Sequence, residues 1–347
     1  MNITELAVEM KRQVNTRKDY IADMLAVSMT HEHGNDFRIN GLNGSTYGIR
    51  DVAHQQIGEM YNIPRNYYEK MKAEEPGLLT HNVNTWNQKQ TNKRLVRVLD
   101  GDVRAVLSTK YRPLDNYDLG NAVLPVIYSK GATVISCGLT ESKLYIKTIL
   151  PSLTAEITSK TVGDIVQGGC IISNSEVGRG ALSIEPFIYR IVCGNGMVMK
   201  KSFGKHHIGA RINNDVDVSE FLRTETQVIS DKALWMQVQD VVNAMYNKEY
   251  FDKEVEKLNN ATKDTILSKD YKKVIDVTAK YTGIPGAHTG SILERLIEGA
   301  DLTRYGLSQA FTATAHTVEN YDVQTELEIA GGKVIDISPE QWRKITH

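Results

Sequence analysis

The chain has 347 residues and a mass of 38.9 kDa, which suggests two or three folding units, or one large unit with elaborations. Hydrophobic residues make up 41% and charged residues 24% of the sequence, and this composition excludes collagen-like, mucin-like and wholly disordered chains. No apolar stretch approaches the ~18 residues that a bilayer-spanning helix needs, and Glu5 and Glu9 stand where a leader peptide would be basic and then apolar. These features predict a cytoplasmic protein with no membrane partner.

The net charge of -1 conceals two regions of opposite sign. Residues 1–214 hold 26 Lys and Arg against 20 Asp and Glu, whereas residues 215–347 hold 15 against 22. Most of the positive excess lies in residues 76–214, where 17 basic residues face 9 acidic ones. Such an asymmetry predicts charged partners, or contacts between copies of the chain.

Residues 1–75 are predicted to form a mainly helical N-terminal region. Apolar residues recur at a spacing of three to four from Leu6 to Val14 and again from Ile21 to Met29, which is typical of amphipathic helices. Pro64 marks the start of a later short helix.

Residues 76–214 are predicted to form a basic, antiparallel α+β core. Short β-branched segments between residues 94 and 200 are separated by turn residues, a pattern that predicts strands joined by tight connections. Asp100–Gly101 is a strong hairpin signal. One helix interrupts the strands, with Asp115 as its N-cap and an apolar stripe from Leu119 to Ile127.

Residues 215–347 are predicted to form an acidic helical region. A long apolar stripe indicates a helix from Phe221 to Met245, and the segment around Gly331–Gly332 is predicted to be a small terminal hairpin. The predicted fold class is therefore α+β: a mainly antiparallel sheet with an inserted helix, flanked by helical N- and C-terminal regions. No linker separates the three regions, which is compatible with one cooperative unit.

The three cysteines are predicted to be buried thiols. Cys137, Cys170 and Cys193 lie in apolar, β-branched surroundings and form no C-x-x-C pair. This spacing argues against a disulfide framework and against a cysteine-based zinc site.

Motifs of known enzyme classes are missing from the sequence. Gly196–Ser202 has a Lys-Ser pair after a glycine but lacks the second glycine of a P-loop, without which the backbone cannot wrap a phosphate. The dinucleotide-binding glycine motif, the serine-hydrolase elbow and the zinc-protease motif are also missing. The sequence therefore predicts a non-enzymatic protein that uses no cofactor.

Two polar groupings remain open to more than one interpretation. His31 and His33, with Asp36, are the best metal candidate because alternate residues of an extended segment point the same way; the favoured alternative is solvated loop residues, so no metal site is predicted. Glu176 and Arg179 either line a site or anchor a loop by a salt bridge, and we favour the anchor.

Basic and aromatic residues are interleaved in two windows that hold no acidic residue, between Glu75 and Asp100 and between Pro186 and Asn214. Lys and Arg neutralise phosphates, and an aromatic ring offers an unpaired base a stacking platform. The predicted nucleic-acid-binding residues, including those just after Asp100, are Trp86, Lys89, Lys93, Arg94, Arg97, Arg104, Lys110, Tyr111, Arg112, Lys200, Lys201, Phe203, Lys205 and Arg211.

These residues have distinct predicted roles. The arginines and lysine between positions 94 and 112 are expected to track phosphates from one face, and the basic residues between 200 and 211 to clamp the strand from a loop. Trp86, Tyr111 or Phe203 would stack on bases. The alternatives are a solvated basic face, or an interface for the acidic C-terminal region of a neighbouring subunit.

Three segments resemble a known family. LSTKYRPLDNYDLGNAVLPVI (107–127), VGDIVQGGCIISNSEVGRGALSIEPFIYRIVCGNGMVM (162–199) and LTRYGLSQAFTATAHTVENYD (302–322) are similar to the phage/plasmid-like protein family filed as domain of unknown function number nine-three-two. The resemblance implies a protein encoded by a bacteriophage, prophage or plasmid and made in the bacterial cytoplasm. It implies no activity.

The order of hairpin, helix and antiparallel strands with a basic face also resembles, at the level of topology, single-strand annealing proteins of the Redβ, RecT and Rad types. This resemblance implies ring or filament homo-oligomers that hold DNA by its backbone. We therefore predict a non-enzymatic, oligomeric protein that binds or anneals single-stranded DNA in phage recombination or replication. The alternatives are a host-takeover or anti-defence protein that binds a host protein or small signalling ligand, and a metal-dependent enzyme.

Overall fold

The fold is α+β, as predicted, with two mainly antiparallel sheets and a helical C-terminal region. A computed structural model describes residues 1–34, 36–199, 203–205, 211–212, 216–217 and 224–346, with the backbone alone for 203–205, 211–212, 216–217 and 224–228. The helices are α1 (Ile3–Thr16), α2 (Asp51–Met60), α3 (Arg65–Glu74), α4 (Pro76–Asn87), α5 (Asn116–Ser129), α6 (Thr224–Met245), α7 (Lys248–Ala261), α8 (Tyr271–Thr282), α9 (Thr289–Gly299), α10 (Arg304–Thr314), α11 (Tyr321–Ile335) and α12 (Pro339–Thr346). None of these described helices combines the length and apolar character that crossing a membrane requires.

The strands form a first sheet, a second sheet and a small pair. They are β1 (Lys18–Asp23), β2 (Ser28–His31), β3 (Phe37–Leu42), β4 (Ser45–Ile49), β5 (Lys93–Leu99), β6 (Asp102–Ser108), β7 (Thr133–Leu139), β8 (Leu144–Glu156), β9 (Ile165–Asn174), β10 (Leu182–Arg190), β11 (Asn195–Val198), β12 (Phe203–Lys205), β13 (Arg211–Ile212) and β14 (Val216–Asp217).

The first sheet has the order β1-β5-β6-β4-β3-β2, and only the β4–β6 pair is parallel. Helices α2, α3 and α4 cover one face, where Ile57, Tyr68, Met71 and Leu79 are almost fully buried. Strands from both sides of residue 75 therefore share one sheet and one core.

The predicted helix from Ile21 to Met29 is wrong, because this segment contains β1 and β2. Strand β1 pairs with β5 along its whole length. The apolar residues do not share one face, since Ile21 is 60% and Leu25 is 55% exposed while Met24 and Met29 are buried. Pairing across the sheet thus overrides a helical spacing that was accidental. The short helix after Pro64 is confirmed as α3.

The predicted hairpin and the predicted inserted helix are both confirmed. Asp100 and Gly101 have φ of +56° and +87°, and two successive positive φ values are the signature of the tight turn that matches the twist of paired strands. Helix α5 begins at Asn116 with Asp115 in the N-cap position, but the Asp115 side chain forms no cap hydrogen bond. It binds arginines instead.

The second sheet has the order β11-β10-β9-β8-β7, with β12 also pairing with β10, and all of its pairs are antiparallel. Pro151 and Ser152 are among the turn residues that are expected to separate strands, but they lie inside one long strand, β8. A register shift between Ile149 and Thr154 accommodates the proline, as expected for a residue that cannot donate to the ladder. Helices α1, α5, α6 and α7 pack against this sheet.

The helical character of the chain after residue 215 is confirmed, but the predicted terminal hairpin is wrong. Helix α11 runs without a break through Gly331 and Gly332. A Cβ atom on Gly332 would lie 1.8 Å from the Val198 carbonyl oxygen, and one on Gly331 would lie 2.4 Å from Thr312 Cγ2. These glycines therefore permit close packing of α11 and do not mark a turn.

The prediction of buried thiols holds for two of the three cysteines. Cys137 and Cys170 are buried, whereas Cys193 is exposed. Strand β10 ends at Arg190, so Cys193 lies in the turn that leads to β11.

Candidate nucleic-acid interface

Four basic residues and one tryptophan lie around the open end of the β5–β6 hairpin, opposite the Asp100–Gly101 turn. Strand β5 begins at Lys93, and Arg94 is opposite Ser108 in the register, which places Lys110 at the same end. Trp86 and Lys89 lie at the end of α4, a few residues before β5. We call Trp86, Lys89, Lys93, Arg94 and Lys110 the open-end surface.

The cations of the open-end surface differ from Arg97, Arg104 and Arg112, which form ion pairs with carboxylates. Within the described residues, Lys89, Lys93, Arg94 and Lys110 form no ion pair with a carboxylate. The three lysines are exposed and Arg94 is half-buried. Asp23 is opposite Lys93 in the register, but its side chain accepts a hydrogen bond from the Leu25 amide. The positive charge here is therefore available to an external anion.

Trp86 gives the open-end surface an aromatic face. It is 43% exposed, and Lys89 Nζ lies 4.9 Å from the centroid of its ring, a cation–π arrangement that holds the lysine beside the indole. A large exposed aromatic ring with a cation on it suits the stacking of an unpaired base.

Arg97, in contrast, is removed from the predicted phosphate-tracking face. It is 0% exposed, and its guanidinium donates to both carboxylate oxygens of Asp19 at 2.9 and 3.0 Å, to Asp115 Oδ1 at 2.8 Å and to the Glu176 carbonyl oxygen at 2.9 Å. Three positions separate it from Arg94, so the two side chains point to opposite faces of β5. Burial and these bonds keep Arg97 from binding an external phosphate.

Arg104 is also removed from that face, for the same reason. It is 7% exposed and its Nη1 donates to Glu176 Oε2 at 2.7 Å. Glu176 Oε1 accepts from the Asn116 amide at 2.7 Å, so Glu176 fixes the start of α5 and its own loop. Arg179 pairs with Glu59 at 2.9 Å. The anchoring interpretation of Glu176 and Arg179 is thus confirmed.

Burial and charge determine the protonation of this network. Burial alone would lower the pKa of Arg97, but its bonds with Asp19 and Asp115 outweigh burial and raise that pKa. Burial would raise the pKa of Asp115, yet the Arg97 guanidinium holds it below its usual value. The network is therefore charged at neutral pH and holds the two sheets together.

Tyr111 and Arg112 are also engaged within the protein. The Tyr111 hydroxyl donates to the Ser175 carbonyl oxygen at 2.7 Å, and burial raises its pKa. Arg112 Nη2 contacts Asp231 Oδ1 on α6. Both are half-buried, so they are placed to link β6 to neighbouring elements more than to stack on a base or bind a phosphate.

The second predicted window is only partly covered by the structure. Lys200 and Lys201 lie outside the described residues. Phe203 and Lys205 belong to β12, which pairs with Ile184 and Leu182 of β10, and Arg211 belongs to β13; the structure describes the backbone alone at these three positions. Their predicted clamping and stacking roles stay predictions.

The alternative metal site has no geometric support in the described part of the chain. No group of three or more His, Cys, Asp or Glu side chains there is arranged to hold a metal ion. The His31 ring nitrogen bonds the Gly34 carbonyl oxygen, and His33 is exposed.

Sequence reasoning missed the division between paired and unpaired cations. Arg97 finds two of its partners 78 and 79 positions away, which no local pattern reveals. One signal was present in KRLVRVL, where apolar residues occupy both faces of β5. A strand of that kind is buried on both faces, so an arginine in its middle must find partners inside the protein.

Comparison with curated proteins and with solved structures finds no match for the chain. A family model described as Domain of unknown function (DUF932) matches residues 103–330. The match includes Lys110 of the open-end surface, the whole second sheet, helices α5 to α10 and the first part of α11. Because it covers more than half of the sequence, the chain belongs to the DUF932 family.

Proposed function

We propose that this protein binds single-stranded DNA without catalysing a reaction, and that it serves strand annealing in the recombination or replication of a phage or other mobile element. The open-end surface is the proposed binding site. Residues 200–211 are proposed to add a second contact to the same strand.

One observation carries this proposal: within the described residues, four cations near the open end of the β5–β6 hairpin have no ion pair, and one of them, Lys89, lies over the ring of the exposed Trp86. Lys and Arg without an ion pair at this end of the hairpin, when Arg97 and Arg104 of the same two strands form ion pairs with carboxylates, favour an external polyanion as the partner. Each cation that neutralises a phosphate releases counterions, and an exposed ring contributes ~1–3 kcal/mol per stacked base. A flexible single strand can present both groups to such a small surface.

We also propose that copies of the chain associate head to tail into rings or filaments in the bacterial cytoplasm. The support is the charge division between residues 1–214 and 215–347, which offers complementary surfaces to neighbouring copies. Light scattering at micromolar concentration, with and without DNA, measures this association, and a monomer under both conditions would contradict it.

The expected result is salt-dependent binding of a labelled single-stranded oligonucleotide, measured by fluorescence anisotropy. If all four cations contact phosphates, log affinity should fall with log salt concentration with a slope of about -2.8, or about 0.7 per phosphate. Replacing Lys93 and Lys110 together by alanine should reduce the slope by about 1.4.

Trp86→Ala should weaken binding by ~1–3 kcal/mol and leave the slope unchanged, whereas Trp86→Phe should retain most of the affinity.

The matched control is the double replacement of Lys248 and Lys344 by alanine. Both lysines are exposed and lie on α7 and α12, so the loss of net charge is the same while the open-end surface is intact. Equal effects of the two double variants would mean that only overall charge matters. Absence of binding at ~50 mM salt, where electrostatic contacts are strong, would end the proposal.

A further inference from the structure

A cleft of about 320 Å³ lies where the β10–β11 end of the second sheet meets α9 and α10. Its volume is within the range of small-molecule sites. The cleft contains no residue of the open-end surface and lies wholly inside the segment that matches the DUF932 family.

Two carboxamide side chains in the wall of this cleft lack partners. Asn195, the first residue of β11, is 5% exposed, and its side-chain carboxamide forms no hydrogen bond within the described part of the chain. Gln309 on α10 has a buried Oε1 atom that also lacks a partner. A buried polar atom without a hydrogen bond is destabilising, and a ligand that donates to Gln309 Oε1 would remove that cost.

Both arginines that line the cleft are paired with carboxylates. Asp164 accepts from Arg190 Nη2 at 2.8 Å and from the Tyr305 hydroxyl at 3.0 Å. Arg295 pairs with Glu298 at 2.7 Å. Asp301 also lines the cleft and accepts from the Thr303 hydroxyl at 2.8 Å. An anionic group would find no uncompensated positive charge here, so the cleft favours a polar group that carries no negative charge and can donate hydrogen bonds.

We propose that the cleft binds a nucleobase, held through its hydrogen-bonding edge by Asn195 and Gln309. Each carboxamide carries both donors and an acceptor, and bases present donors and acceptors side by side on one edge, which Asn and Gln side chains match. The base could belong to a free nucleotide or to a nucleic-acid strand; the chemistry of recognition is the same. This site goes beyond the single-stranded-DNA surface proposed above and uses none of its residues.

Cys193 provides a direct probe of occupancy, because its thiol lines the cleft and is the exposed one of the three cysteines. Arg190 Nη1 lies 3.6 Å from its sulfur. The experiment is the rate of Cys193 alkylation by a maleimide in the full-length protein, followed by intact mass spectrometry. The competing probes are the four ribonucleoside 5′-monophosphates, each added separately, a short single-stranded oligodeoxynucleotide, and inorganic phosphate.

The expected result is that at least one mononucleotide or the oligonucleotide slows alkylation saturably, by about tenfold at ten times its Kd. Asn195→Ala and Gln309→Leu should abolish this protection. Neither change removes an existing intramolecular hydrogen bond of these carboxamide oxygens. The melting temperatures of both variants should therefore be close to that of the parent, and each variant serves as a check on the folding of the other. Protection by the oligonucleotide alone assigns the base to a strand, and protection by a mononucleotide assigns it to a free ligand.

Three outcomes would overturn the assignment of a nucleobase: no protection by any nucleotide or by the oligonucleotide, equal protection by inorganic phosphate, or protection that persists in both variants. The last outcome would mean that a strand bound elsewhere merely covers Cys193. Repeating the oligonucleotide arm with Trp86→Ala separates the two sites, because that variant weakens the proposed DNA surface while Asn195 and Gln309 are intact.

Discussion

Replacing Arg97 by alanine is expected to lower the free energy of unfolding by about 3–5 kcal/mol, because buried carboxylates lose the cation that they bind. Urea denaturation measures this change. Arg97 is fully buried and binds Asp19, Asp115 and the Glu176 carbonyl oxygen at once. Only 13% of the Asp115 side chain is exposed, so removal of Arg97 deprives a buried carboxylate of its principal counter-charge. Arg97→Lys keeps the charge but not the planar fork, so it should recover only part of the loss.

The same network makes stability depend on pH. The pKa of Asp115 is held below its usual value of 3.8 in the folded protein, so the unfolded chain binds its proton first as the solution is acidified. The contribution of Asp115 is therefore complete above the unfolded pKa and is lost as the pH falls through the folded pKa. Stability measured from pH 6 downward should fall less steeply in Arg97→Ala than in the parent, since the variant lacks the main cause of that lowered pKa.

Arg12→Ala is the matched control for Arg97→Ala. Arg12 also binds two carboxylates, those of Glu9 and Asp100, but 45% of its side chain is exposed. Solvent-exposed pairs of this kind contribute little to stability, because water and salt screen them. If the two alanine variants unfold at the same urea concentration, the network of Arg97 is not a stabilising element, and its burial needs another explanation.

Local signals made much of the fold predictable. The Asp100–Gly101 hairpin needs only two adjacent residues that tolerate positive φ. Helix α5 is indicated by an apolar stripe that follows an N-cap residue. In the same way, short β-branched segments indicated the antiparallel strands of the second sheet. Each of these features is decided by residues that are close in sequence.

Features set by distant contacts were not predictable in this way. Strand β1 exists because it pairs with β5, more than 70 positions later, and its helical spacing of apolar residues carried no information about that partner. The same holds for the candidate site. Arg94 and Arg97 have similar neighbours in the sequence. The face of β5 on which each lies, and the position of Glu176, decide that Arg94 is available to an external anion and that Arg97 is not.

Glycines show the same ambiguity most clearly. Gly101 lies in a turn with positive φ, whereas Gly331 and Gly332 lie inside α11, where the missing Cβ lets the helix approach α10 and β11. A Gly-Gly pair is read as a turn because turns are the commoner use. Here the pair permits the close approach of α11 to Val198 and Thr312, and no local sequence pattern predicts that these residues are its neighbours.

Gly332→Ala is expected to destabilise the protein by more than the ~1–3 kcal/mol of ordinary overpacking. The added Cβ would lie 1.8 Å from the Val198 carbonyl oxygen and 2.8 Å from the Val198 carbonyl carbon. Both are backbone atoms at the end of β11, so no side-chain rotation relieves the contact and α11 must move away from the sheet. The intrinsic helix preference of alanine, worth about 1 kcal/mol over glycine, is too small to compensate.

Gly290→Ala separates this packing effect from helix propensity. Gly290 lies in the first turn of α9, and a Cβ placed there meets no atom within 4 Å. The substitution should therefore be neutral or stabilising by up to about 1 kcal/mol, as measured by the same urea denaturation. If Gly332→Ala were as stable as the parent, α11 could not pack against β11 as closely as the structure shows. That result would favour the hairpin predicted at Gly331–Gly332 over a continuous helix.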